Sequence, residues 1–249
     1  MAPNKYIKEV EETLRRLSTA TPAERENARR YIGTALPVLG LSAKAQQQVC
    51  KKGFSFYEAD KEAIFRIFDG IYHHSKTMEA KNQAFIFLDQ NYRHVPVKTQ
   101  LELLPAWVQG VDNWAHSDYL SKFLSRLLEE RATESAMMKQ LKSWNRSENP
   151  WERRQSLVSL YYYARTRTRH VDFDTTVKLL KPRLPDPAYY VQKAVGWTLR
   201  ECYNVYPKQA FGFMEQEHRR ITATAFTAAI EKMTIKEKDH LKQLRRSRD

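Results

Sequence analysis

Apolar residues recur at intervals of three and four along nearly the whole chain, and this spacing limits the fold more than any other feature. Ile7, Val10, Leu14 and Leu17 mark a first amphipathic helix, Ala28, Tyr31, Ile32 and Ala35 a second, and Ala45 and Val49 a third. Ile64, Phe65, Ile67, Phe68, Ile71 and Tyr72 form a stripe broad enough for deep burial, with Ala84, Phe85, Leu88 and Tyr92 on the expected partner. Leu101, Leu104 and Trp107 make a short helix before Gly110. Leu120, Phe123, Leu124, Leu127 and Leu128 anchor another, which opens at Trp114 behind Asn113 as N-cap. Start signals recur at Thr21-Pro22-Ala23-Glu24, a capping box with proline at the first helical position, and at Asn149-Pro150 and Asp186-Pro187. No segment alternates with period two for long enough to be a strand, and only 7 residues are glycine. About a dozen helices joined by short turns, recurring in pairs roughly every 35–45 residues, are expected from a HEAT-type array. The expected fold is all-α: a superhelical α-solenoid of HEAT-like helical repeats with a basic concave groove. It should form a single domain over residues 1–249, with a charged tail from about residue 235.

Charge narrows the partner. Lys and Arg number 42 against 29 Asp and Glu, a formal net charge of +13, which favours a polyanion such as nucleic acid. No run approaches the roughly 18 apolar residues of a membrane span. The opening MAPNKYIKEVEE lacks the apolar core of a secretory signal. The two cysteines, Cys50 and Cys202, stand far apart without metal-ligand spacing, which suits a reducing, cytoplasmic setting. Phosphate-loop, dinucleotide, HExxH, CxxC and GxSxG patterns are all missing, so any chemistry rests on scattered side chains gathered by helix packing.

A few residues break the plain pattern. Trp114 and Asp118 are four apart, on one face of the helix start. Asp118 either answers the helix dipole or serves as an ionised carboxylate that stabilises positive charge. Arg154 lies beside the inward row Leu157, Leu160, Tyr161 and Ala164, either paired with a helix-knitting acid or clamping a phosphate or carboxylate; Arg153 points outward. Lys193, Trp197 and Arg200 form a stripe beside the core row Val191, Ala194, Thr198 and Cys202, suited to packing or to a phosphate backbone. Tyr31 reads by default as core. Arg165, Arg167 and Arg169 read as a solvated helix end, and Arg219 and Arg220 offer further phosphate contacts.

Taken together, Tyr31 in ARRYIGTALPVLGLS, Trp114 and Asp118 in VDNWAHSD, Arg154 in NPWERRQSL and Trp197 in VQKAVGWTLRE resemble the DNA alkylation repair family of HEAT-like glycosylases, the AlkD type. The resemblance runs from about residue 25 to about residue 230, and its most specific pieces are the WxxxD pair and the QKAxGWxLRE helix. It implies a monofunctional alkylpurine DNA glycosylase, without metal or cofactor, that hydrolyses the N-glycosidic bond of N3- or N7-alkylated purines in double-stranded DNA. Asp118 would be the catalytic carboxylate, Trp114 and Trp197 would flank the lesion deoxyribose, Arg154 would assist, and Tyr31 would line the cleft. Arg153, Lys193, Arg200, Arg219 and Arg220 complete the expected DNA-contact set, and the protein is expected to act as a monomer. Two other readings fit a basic helical array: a nucleic-acid-binding repeat protein that keeps the fold without the chemistry, and a protein-interaction scaffold.

Overall fold

The computed structural model describes residues 4–247, and among these there are fourteen α-helices and no strand. In order they are α1 (Asn4–Leu17), α2 (Pro22–Ile32), α3 (Ala43–Lys52), α4 (Lys61–His74), α5 (Met78–Asn91), α6 (Val97–Leu103) and α7 (Trp114–Glu129). There follow α8 (Arg131–Trp144), α9 (Pro150–Tyr161), α10 (Phe173–Leu180), α11 (Tyr189–Val205), α12 (Pro207–Glu217), α13 (Ala223–Ala229) and α14 (Ile235–Arg246). The all-α expectation is met. The chain forms two compact units, one ending at Leu120 and the other beginning at Ser121, so that the boundary falls inside α7.

In the first unit α4 packs on α5, with α1 and α3 also against α5. Helix α5 is buried on every side from Met78 to Leu88, so its polar residues must find partners inside. Both carboxylate oxygens of Glu79 accept the Leu39 N–H at 2.9 Å, and Oε1 also accepts that of Gly40 at 2.8 Å. These bonds fasten the α2–α3 connection to α5. Asn82 donates to Gln46 Oε1 at 3.0 Å. Beside them Tyr72 stacks on Trp107 with ring centroids 4.4 Å apart and donates its hydroxyl to the Trp107 carbonyl, while the Trp107 indole donates to Asp69. Aromatic pairs of this kind add roughly 0.5–1.5 kcal/mol to their area burial.

In the second unit α11 is central, packed on α9, α12 and α13, with α8 on the far side of α9. The rows expected to be inward are buried: Leu157, Leu160, Tyr161 and Ala164, and Val191, Ala194, Thr198 and Cys202. Gly196 sits where α11 meets α13. A Cβ there would lie 2.5 Å from the Ala225 carbonyl oxygen and 2.8 Å from the Ala228 Cβ, so the glycine is what permits that close crossing. The charged segment beyond residue 235 is helix α14, opened by a Thr234–Glu237 capping box and seated through Leu241.

Candidate functional site

Helix α7 begins where the sequence suggests. Asn113 caps it, its Oδ1 accepting the His116 N–H at 2.9 Å. The stripe Leu120, Phe123, Leu124, Leu127 and Leu128 is buried, which fixes the helix and leaves Trp114 and Asp118 half-buried on its first turns. The preceding Asp112 reaches back to the end of α2. Its carboxylate accepts the Thr34 hydroxyl at 2.7 Å, the Ala35 N–H at 2.8 Å and the Asn113 amide at 2.7 Å. Burial alone would raise the Asp112 pKa, but these hydrogen bonds outweigh it and hold the group below the usual carboxylate range.

That tether places Tyr31 against Trp114. Gly33 closes α2 in the left-handed conformation at φ 73°, with its N–H on the Arg29 carbonyl. The turn sets the Trp114 indole N–H on the Tyr31 carbonyl at 3.1 Å, and the two rings meet edge to face at 5.7 Å. Tyr31 is 77% exposed, so the default expectation of a core tyrosine is overturned. Its helix has no buried residue, because α2 lies on the surface and is held by its ends instead of by an apolar face. Tyr31, Trp114 and Asp118 thus form one group in the first unit: exposed Tyr31 against half-buried Trp114, with the carboxylate one helical turn after the indole.

The second unit carries the other expected residues. Arg154 is buried on α9 and donates from Nη1 to the Tyr190 carbonyl of α11 at 2.9 Å, while Trp151 stacks on the Tyr190 ring at 5.0 Å. Trp197 lies half-buried on α11, stacked on Tyr162 at 5.9 Å and edge-on to Tyr163 at 5.5 Å, with the Arg200 guanidinium 5.0 Å over its ring. Arg154 and Trp197 therefore stand on adjacent helices.

Arg153 does not point outward as expected. It makes a bidentate pair with Asp186 at 2.7 and 3.1 Å and donates to the carbonyls of Ser147 and Glu148. Those bonds employ the whole fork of the guanidinium, and they give Arg153 a structural occupation. The run Arg165, Arg167 and Arg169 lies beyond α9, which stops at Tyr161, with exposed Arg165 in a single 3-10 turn over Ala164–Thr166. Arg167 bonds Glu129 and the Lys122 carbonyl, and Arg169 bonds Glu134 and the Glu129 carbonyl, latching the loop to α7 and α8. Of the remaining expected contacts, Lys193 and Arg219 are exposed. Arg220 pairs with Glu217, and Arg200 pairs with Glu231 and Glu201. Among the described residues no three His, Cys, Asp or Glu side chains gather as a metal site requires, and no helix is long and apolar enough to cross a membrane.

A family model described as "DNA alkylation repair enzyme" matches residues 10–233. Among solved structures, a predicted DNA alkylation repair enzyme of Enterococcus faecalis aligns with a TM-score of 0.69 at 18% identity, covering 86% of this chain and 97% of its own. AlkD2 of Streptococcus mutans aligns with a TM-score of 0.52 at 15% identity, covering 95% and 97%. The smu.31 protein of Streptococcus mutans UA159 gives 0.51 at 15% identity, covering 96% and 98%. At these identities the likeness speaks for a shared helical fold. The comparison with curated proteins finds no match.

Proposed function

Since the chain belongs to the DNA alkylation repair enzyme family, we propose that it is a monofunctional glycosylase, active as a monomer, which hydrolyses the N-glycosidic bond of N3- or N7-alkylated purines in double-stranded DNA. The observation that carries this reading is the group on α7. The Trp114 ring, oriented by its N–H bond to the Tyr31 carbonyl, stands one turn before Asp118.

A purine alkylated at N3 or N7 is already cationic and leaves without a general acid. What needs stabilising is the oxocarbenium-like sugar that forms as the bond breaks. A carboxylate placed beside that charge supplies the largest single electrostatic contribution, and the same group orients the attacking water. The indole face of Trp114 adds cation–π attraction, worth up to about 2 kcal/mol when desolvated. In the second unit, this reading assigns Arg154 and Trp197, on adjacent helices, to assisting contacts with the DNA.

The test is release of free methylpurine and formation of abasic sites when methylated duplex is incubated with the protein. Asp118→Asn should lower the single-turnover rate by roughly 10²-fold or more while duplex binding survives. Excision at the unaltered rate by that variant would remove this carboxylate from the mechanism.

A further inference from the structure

Tyr163 is the one non-glycine residue at positive φ among the described residues, at φ 48° and ψ 67°. A bulky side chain adopts that conformation only where the surroundings impose it. Here they do so from several directions. The Glu201 carboxylate of α11 accepts the Ala164 N–H at 3.0 Å, and the Tyr163 carbonyl accepts both the N–H and the hydroxyl of Thr166 at 2.9 and 2.8 Å. His170 Nε2 lies 2.9 Å from the Ala164 carbonyl, and the Arg167 guanidinium reaches the Tyr162 carbonyl at 3.2 Å. The result of all these bonds is an aromatic ring held outward, 51% exposed, at the rim of a recess of about 330 Å³.

Arg165, Arg200, Asn204 and Lys232 line the recess together with Tyr163, and so do the carboxylates of Glu201 and Glu231. Glu201 is engaged with the Ala164 N–H at 3.0 Å and with Arg200 at 3.4 Å. Glu231 is engaged with Arg200 at 2.7 Å and Lys232 at 2.8 Å. Arg165 instead donates to the neutral amide oxygen of Asn204 at 3.2 Å, which leaves its charge without an acid partner among the described residues. An outward aromatic face, an uncompensated guanidinium within two residues of it and an amide below them match what a single unpaired base and its phosphate require. The volume is at the lower end of ligand-sized clefts, roughly 300 Å³ upward. Trp197, edge-on behind the tyrosine, supports the ring from the protein side.

We infer that this recess receives one unpaired nucleotide of a DNA strand, its base stacked on Tyr163 and its phosphate held by Arg165. The inference rests on the proposed function only for the identity of the polymer as DNA, and it assigns Tyr163 a binding role without a part in bond cleavage.

The experiment measures binding of the full chain to a duplex with a single-nucleotide 2-aminopurine bulge and to the fully paired duplex of the same sequence. The unaltered protein should bind the bulged duplex roughly tenfold more tightly and quench the 2-aminopurine, on the scale of one base–aromatic stack. Tyr163→Phe should keep both effects. Tyr163→Asn, a residue that accepts positive φ and so keeps the loop, should lose both and bind paired duplex as before. Equal affinity of the unaltered protein for the two duplexes, or a bulge preference that persists in Tyr163→Asn, overturns the inference. Free deoxyadenosine monophosphate that competes at the concentration of the bulged duplex overturns the strand assignment. Failure to release base from methylated duplex overturns the glycosylase reading alone, since bulge preference does not require bond cleavage.

Discussion

His116 lies fully buried in the first turn of α7, between the two residues of the Trp114–Asp118 pair. Its Nδ1 faces the Asn113 amide nitrogen at 3.1 Å, and Asn113 cannot turn its amide because Oδ1 already caps the helix. The ring nitrogen must therefore accept, and a protonated imidazole would set donor against donor. Burial drives the His116 pKa down to about 4, from about 6.5 when unfolded. Between those values the unfolded chain binds the extra proton, so stability is fully present above about pH 6.5 and is lost as pH falls toward 4. The full window corresponds to on the order of 3 kcal/mol. Thermal melts from pH 7.5 to 4.5 should show a steeper loss of Tm for the unaltered protein than for His116→Gln. Parallel slopes would place the acid sensitivity elsewhere.

Among the helices, α11 and α5 carry the most consequence. The crossing of α11 and α13 depends on Gly196, one residue before Trp197. Gly196→Ala would force the α13 backbone aside and should cost roughly 1–3 kcal/mol, read as a lower urea midpoint with the denaturant slope unchanged. It should also weaken any DNA contact made by Trp197, since that ring rides on the same turn. In α5 the Glu79 carboxylate fastens the connection between α2 and α3 through the Leu39 and Gly40 N–H groups. Glu79→Ala should leave those donors buried without partners, at about 1–3 kcal/mol each, and a rise in amide exchange at Leu39 and Gly40 would report it.

Over the whole molecule, the +13 charge is spread across surfaces whose cations differ in availability. Arg153, Arg167 and Arg169 are engaged in ion pairs with Asp186, Glu129 and Glu134, whereas Lys193, Arg165 and Arg219 stand toward solvent without a carboxylate partner among the described residues. If these three each neutralise one phosphate, the slope of log K against log salt is about −0.9 per contact, or about −2.7 in all. Duplex affinity should then fall roughly 40-fold between about 50 and about 200 mM salt. Affinity indifferent to salt would argue for a protein-interaction scaffold.

Most helix positions, their caps and their inward rows were determined by the sequence itself, because a cap or an apolar stripe is set by residues three or four apart. Thr21 with Glu24, Asn113 with His116, and the row from Leu120 to Leu128 are all local arrangements of this kind. The family was legible for the same reason, in short motifs that each lie on one helix or its cap. Only the tertiary structure decided which polar or aromatic side chain is internal and which faces out. Tyr31 is outward because Asp112 bonds a residue 78 positions away, and Arg153 is internal because Asp186 arrives from 33 positions further on. Tyr163 is aimed outward through its neighbour Ala164, whose N–H is held by a carboxylate 37 positions along, at Glu201. Such pairings are made by the stacking of separate helices, and no local periodicity records them.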